Sequence, residues 1–507
     1  MTFTETTDGM TEQNRRRLHS RGICVIIPTY NNATTIHDVV TRAKVQCDDV
    51  IVVNDGCTDE TASILAGIGG ITVVDMPKNS GKGGALRAGF RKALMMGFAY
   101  AITLDADGQH FPEDIPLLLE ANIANPGALL IGERKGLEGM ERSGGSKFAN
   151  AFSNFWFCVQ TLHYLRDTQT GYRLYPLSKL HCQGLLTSRY EAELELLVFS
   201  AWHGVKIVPV PVNVYYPPRE ERVSHFRPAY DFTRIFILNT CLCFLALCYA
   251  LPLALLRGLS VMMRTFYSLL FFMVVCLLYL LPASVCTILL CRDHAKRTDR
   301  LHNHLFAIGR LVMHRHGIPG VKLKIENPHG EDFTKPAVII SNHQSVLDLM
   351  AMLSFTPKVI VLTKDWVYHN PFFGLPLRYG EFYPVTEGLD AIMPRLQSLV
   401  ERGYSIAVYP EGTRSDDLSI QRFRQGAFYI AEQLRLDVLP LVEYAPGRAL
   451  PKGGCYLRKG IFNVEIDRRM TYEDYSAHGA VKNITSWFRR YYLARYDEMR
   501  DKLDRYL

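Results

Sequence analysis

An α/β protein, with two ligand-binding domains on either side of a two-segment membrane helical hairpin, is predicted by three observations in this 507-residue chain. Short β-branched runs alternate with helical patterns in both halves. Two central runs, Ile235 to Leu256 and Thr265 to Cys291, contain no Asp, Glu, Lys, Arg or His. Acidic, glycine-rich or His-bearing segments follow the strands in each half. The expected boundaries are a polar tail over 1–22, a first domain over 23–234, membrane segments over 235–291, a second domain over 292–480, and a basic amphipathic helix over 481–507.

In the first domain, Cys24 to Ile27, Val50 to Val53, Ile71 to Val74 and Ala101 to Leu104 read as strands, with helices over Ala33 to Val45, Thr58 to Leu65 and Gly81 to Gly97. Such βα alternation builds a mostly parallel, Rossmann-like sheet that binds ligands at the carboxyl ends of its strands. Each central run exceeds the roughly 20 residues needed to cross hydrocarbon. Arg219, Arg222, Arg227 and Arg234 flank them on one side, and Arg292, Lys296, Arg297 and Arg300 on the other. By the positive-inside tendency both flanks are cytoplasmic, so Arg257 to Arg264 would connect a hairpin; Pro252 and Pro282 leave open a re-entrant course. The second domain repeats the α/β pattern, with strands over Ala337 to Ser341, Val359 to Leu362, Ser405 to Val408 and Val438 to Val442. The aromatic and basic stretch Ile484 to Leu507 either lies on a membrane interface or packs on its own domain.

A formal charge of +7 with scattered Lys and Arg excludes a nucleic-acid stripe and leaves a membrane as the macroscopic partner. The 12 cysteines form no CxxC pair, which predicts a reducing compartment without disulfides. Met1 to Ser20 lacks the apolar core of a signal peptide, so both domains are expected on the cytoplasmic face of an inner membrane. His302, His304, His314 and His316 form two H-x-H pairs that do not share a helix face and are read as interfacial or surface histidines.

Asp105 and Asp107 stand two apart just after a strand, where their carboxylates can converge on a hard cation gripping a diphosphate. Gly81-Lys82-Gly83-Gly84 lets backbone approach a ligand and adds a positive charge. With Val25-Ile26-Ile27-Pro28-Thr29-Tyr30, Val53-Asn54-Asp55-Gly56 and Leu104-Asp105-Ala106-Asp107-Gly108-Gln109, about Ile23 to Asp231 resembles a family 2 glycosyltransferase of the GT-A fold, near the polyprenyl (dolichyl) phosphate sugar transferases. The resemblance implies a nucleotide-sugar donor and a lipid or polyprenyl-phosphate acceptor. It assigns Pro28, Tyr30, Asp55 and Lys82 to the nucleotide-sugar, and Asp105, Asp107 and Gln109 to Mg²⁺ or Mn²⁺ and the diphosphate. Arg134, Arg142, Arg173 and Arg222 become candidates for the acceptor phosphate, and Asp167 or Glu193 for a general base. Asn54 replaces a common Asp, and His225 a Lys, which leaves base preference and acceptor open.

His343 and Asp348 follow a strand with four residues between them, close enough for a carboxylate to orient an imidazole base. Together with Tyr409-Pro410-Glu411-Gly412-Thr413-Arg414-Ser415, they make about Leu301 to Arg469 resemble the 1-acylglycerol-3-phosphate acyltransferases. That implies His343 as base, Asp348 as its orienter, Glu411, Gly412, Thr413 and Arg414 at the acceptor phosphate, acyl-CoA or acyl carrier protein as donor, and no cofactor. The block Gly380-Glu381-Phe382-Tyr383-Pro384-Val385 lacks its usual terminal Arg, which points to an acceptor other than a glycerol phosphate. The chain is therefore expected to be a bifunctional lipid-modifying transferase. Two independent activities on unrelated substrates, or a non-catalytic membrane scaffold, are the alternatives.

Overall fold

The computed structural model describes residues 3–135, 144–180, 187–215, 228–314, 316–370 and 373–504. The chain divides into two compact units, Met1–Leu255 with Asp501–Leu507, and Leu256–Arg500.

The first unit is built on seven strands: β1 (Ile23–Thr29), β2 (Val50–Asn54), β3 (Thr72–Asp75), β4 (Tyr100–Thr103), β5 (Leu129–Arg134), β6 (Arg173–Pro176) and β7 (Ile207–Val212). Their order is β3-β2-β1-β4-β6-β5-β7, parallel except for β6. Both faces of this sheet are covered. Ile23, Val25, Ile27, Val50 and Val52 enter one apolar cluster, while Cys24, Ile26, Ile51 and Val53 enter the other. That is why the strands read as unbroken apolar runs rather than alternating ones. The order reverses between β1 and β4, and such switch points open a crevice at the carboxyl ends of the strands.

The expected polar tail is instead a helix, Phe3–Ser20. Leu18 is buried, and Arg17 meets Glu120 while His19 meets Asp49, so tertiary partners hold a segment whose polarity alone hid it. Arg21 is fully enclosed, donating to Asn122 (2.9 Å), Asp501 (2.7 Å) and Asp504 (3.0 Å), a compensation that a buried guanidinium requires.

Residues 228–290 are helical throughout, as Pro228–Leu245, Leu251–Val275 and Leu281–Leu290 joined by π-helical turns at Ala246–Ala250 and Cys276–Leu280. Each π turn immediately precedes a proline-bearing turn, at Pro252 and Pro282, where a missing N–H and a ring clash disfavour regular α geometry. The two-segment hairpin is not confirmed. Its expected connection, Arg257 to Arg264, is helical because it holds Leu and Met, a single Gly and no Pro. Among the described residues one helix, Thr233–Leu290, is long and apolar enough to cross a membrane. Leu247, Leu255, Phe266 and Leu278 are each at least 66% exposed along it, a belt that water does not favour.

The second unit carries β8 (Val321–Glu326), β9 (Ala337–Ser341), β10 (Val359–Val361), β11 (Ser405–Val408), β12 (Asp437–Tyr444) and β13 (Gly460–Ile466) in the order β10-β11-β9-β12-β13-β8. The neighbours β11, β9 and β12 run parallel, so their carboxyl ends lie side by side. The helix Val481–Asp504 buries Ile484, Phe488, Tyr492, Tyr496 and Met499, a helical stripe that packs on protein. Of the paired histidines, His302 is buried with Nε2 at the Gly380 carbonyl (2.7 Å) and its ring stacked on Phe382, which makes it a core residue.

Candidate active sites

In the first unit, the segment after β4 brings Asp105 and Asp107 to the switch-point crevice. Lys82, which opens the helix Lys82–Met95, bridges Asp105 (2.7 Å) and Glu193 (2.9 Å). Burial opposes ionisation of Asp105, but Lys82, His110 and Arg173 outweigh it and hold that carboxyl below its ordinary value. Asp107 makes no ion pair among the described residues. Burial and the neighbouring Asp105 push it up to about 6, against the Gln109 backbone N–H (3.0 Å) and the more distant Lys82, which favour its charge. Two hard carboxylates, one of them undercompensated, fit a divalent cation with oxygen preference. Among the described residues no group of three or more His, Cys, Asp or Glu is placed to hold a metal ion by itself.

Gly171 closes the floor of this site. A Cβ there would stand 2.4 Å from Asp105 Oδ2 and 2.7 Å from Lys82 Nζ. Gly171→Ala is therefore expected to lower glycosyl transfer by about 100-fold through displacement of the acidic pair, with acyl transfer unchanged; kcat/KM for each reaction checks this.

The other sequence candidates fall into place unequally. Pro28 is buried at the end of β1, with Tyr30 half-buried beyond it. Asp55 accepts from the backbone N–H groups of Ser80 (2.7 Å) and Gly81 (2.9 Å), so it fastens the glycine loop to β2; burial raises its carboxyl. Asp167 is fully buried and gripped twice by Arg134 (2.5 and 2.7 Å), which occupies both as an ion pair. Arg173 is fully buried as well. Its guanidinium donates to the carbonyls of Thr168, Thr170 and Glu193, each at 2.8 Å, and so braces the strand instead of facing an acceptor phosphate. Arg142 and Arg222 lie outside the described residues, as does His225. His110, which the sequence reading did not single out, is enclosed beside Thr170 and Tyr172, and burial lowers it to about 4.

The second site forms where β9, β11 and β12 end. His343 Nδ1 lies 3.0 Å from Asp348 Oδ2, which also accepts from the N–H groups of Gln344 (2.7 Å) and Ser345 (2.8 Å). A carboxylate that only accepts fixes the proton on Nδ1 and leaves Nε2 as the basic nitrogen. The imidazole stacks on Tyr409, centroids 4.4 Å apart, and keeps 22% of its side chain exposed while Asp348 has none. Behind it, Asn342 exchanges 2.8 Å hydrogen bonds in both directions with the Glu443 backbone. Tyr492 accepts from the Asn342 N–H (2.9 Å) and donates to the Leu441 carbonyl; Gln344 Nε2 donates to Tyr496 (2.7 Å). The C-terminal helix thus buttresses the histidine turn.

Glu411 is buried. Its carboxylate accepts from the His343 N–H (2.8 Å) and the Gln421 N–H (2.7 Å), and burial pushes it up to about 7. This residue ties the His343 turn to the segment around Gln421. Gly412 and Thr413 are exposed and Arg414 is half-buried, which leaves them as the part of the block able to meet an acceptor.

Comparison with known proteins separates the same two units. A family model for glycosyl transferase family 2 matches residues 24–173, and an acyltransferase model matches residues 322–443. Polyprenol monophosphomannose synthase of Mycolicibacterium smegmatis is 32% identical over 217 residues, 39% of this chain and 79% of its own length. The UDP-N-acetylglucosamine--dolichyl-phosphate N-acetylglucosaminyltransferase of Methanococcus voltae is 29% identical over 217 residues, 38% of this chain and 86% of its own. Human 1-acyl-sn-glycerol-3-phosphate acyltransferase beta is 27% identical over 173 residues, 33% of this chain, and the chain spans 61% of its length.

Proposed function

Because the chain belongs to the family 2 glycosyltransferases through its first unit, and its second unit matches an acyltransferase model, we propose that the two activities serve one lipid product. In this reading the first site transfers a sugar from a nucleotide-sugar to a lipid or lipid phosphate. The second transfers an acyl group from acyl-CoA or acyl carrier protein to a hydroxyl of that glycolipid or a related one. The exposed apolar helix tethers both to a cytoplasmic membrane leaflet, where fusion raises the local concentration of the intermediate.

At the first site Asp105, Asp107 and Gln109 would hold Mg²⁺ or Mn²⁺, which supplies neutralisation of the charge growing on the leaving diphosphate. Lys82 keeps Asp105 ionised, and the Asp55-anchored glycine loop presents backbone N–H groups beside it. A lipid phosphate already carries its nucleophilic charge, so no general base is required for that acceptor; Glu193, held by Lys82, is the candidate for a hydroxyl acceptor. Since Asp107 must ionise to hold a cation, glycosyl transfer is expected to fall as pH drops through about 6, and added Mn²⁺ should move that midpoint lower. A pH profile of kcat/KM at two metal concentrations checks it.

At the second site His343 Nε2 removes the proton of the attacking hydroxyl, and the Asp348-bound imidazolium then returns it to the leaving thiolate. The observation carrying this reading is that each unit holds a complete acidic or His/Asp constellation on one polypeptide. Lipid extracts from membranes expressing wild type, Asp107→Ala and His343→Ala test it by mass spectrometry. A glycosylated, unacylated lipid should accumulate only in His343→Ala. Loss of a phosphatidic acid alone in that variant would favour two unrelated activities instead.

A further inference from the structure

Behind the His343–Asp348 pair lies a second carboxyl that the acyl-transfer reading does not use. Register pairs Leu441 of β12 with Ser341 of β9, so Glu443, two residues further on, comes to the turn that follows β9. The two-way bond between the Asn342 amide and the Glu443 backbone fixes that placement. Glu443 and Asp348 are both fully buried. Among the described residues, Asp348 Oδ1 and both Glu443 carboxyl oxygens make no close hydrogen bond, and the Glu443 carboxyl lies within reach of the Ser341 hydroxyl and of the Asp348 carboxyl. Ser341 brings only one proton to this pair of buried carboxyls, so an acceptor is still left without a donor, and a proton held between Glu443 and Asp348 supplies it. The titratable groups facing Glu443 are Asp348, Glu411, Tyr409 and Tyr492, none of them cationic, and burial with Asp348 drives Glu443 well above the ordinary carboxyl value.

We propose that Glu443 is a neutral carboxylic acid that donates its proton to Asp348 Oδ1, making it a positioning residue at the back of a Glu443–Asp348–His343 chain. Both Asp348 oxygens then have donors: Oδ2 from His343 and two backbone N–H groups, Oδ1 from Glu443. Its charge is both held in place and moderated, which limits how tightly it retains the proton on the imidazole. The inference rests on His343 being the base of acyl transfer.

The test uses the full chain and three variants. In Glu443→Leu, Asp348 loses its donor, so kcat for acyl transfer should fall tenfold or more and the acid limb of the pH profile should rise by about one unit. Glu443→Gln, whose amide N–H donates in the same place, should restore acyl transfer to within about threefold of wild type with the wild-type limb. The infrared spectrum of wild type should show a protonated-carboxyl C=O band at neutral pH that Glu443→Gln removes, a readout independent of activity and of how the Leu variant folds. Glutamine as damaging as leucine, or no such band in wild type, overturns the proposal. His343→Ala separates the two levels: retained acyl transfer there refutes the site itself, whereas its loss with the wrong Glu443 pattern refutes only this role.

Discussion

Alanine at position 343 is expected to cut acyl transfer by about 10³-fold while glycosyl transfer by the same preparation stays within twofold. Only Nε2 of this imidazole is both basic and partly exposed: Nδ1 is committed to a carboxylate bound by two further N–H groups. Removing the ring leaves only the fully buried Asp348 carboxyl behind it, out of reach of an attacking hydroxyl. Asp348→Asn should be impaired comparably, because its amide oxygen can take the Oδ2 place among three donors but carries no charge to stabilise the imidazolium. Steady-state assay of thioester consumption, with sugar transfer as the folding control, decides the matter. Retained acyl transfer in His343→Ala would remove the base from the mechanism.

The mirror-image prediction concerns Asp107. Asparagine there keeps size and the bond to the Gln109 N–H but deletes the carboxylate of the acidic pair that Lys82 does not bridge. Loss of a cation's grip on a diphosphate costs several kcal/mol, so glycosyl transfer should fall by about 10³-fold. Mn²⁺ binding, followed by electron paramagnetic resonance, should weaken in parallel, and acyl transfer should persist. If Asp107→Asn binds Mn²⁺ as wild type does, the acidic pair is not the cation's site.

The parts legible in the sequence are those determined by local pattern. The strands of the first unit announce themselves because both sheet faces are buried, and Asp105, Asp107, His343 and Asp348 because their spacing to a strand end is short. What stayed hidden depends on partners far away in the chain. Arg173 reads as a phosphate ligand until the three carbonyls around it are seen, and Asp167 reads as a base until Arg134 occupies it. Glu411 reads as an acceptor ligand, yet its carboxylate is bound to two backbone N–H groups. Nothing in the stripe Tyr492 and Tyr496 discloses that their hydroxyls support a histidine turn some 150 residues earlier. The helix Phe3–Ser20 was obscured by its polarity, and the continuous helix over 228–290 by charged residues at 257 and 264 that resemble a connection.

The claim that both sites act on one lipid is met most directly by a double-label assay on the purified, membrane-reconstituted chain. Nucleotide-sugar carrying one isotope and acyl-CoA carrying another are supplied together with a lipid-phosphate acceptor. A single lipid species bearing both labels in wild type, the sugar label alone in His343→Ala, and neither combination in Asp107→Asn is the predicted result. Two labels that always emerge on separate lipids would contradict it.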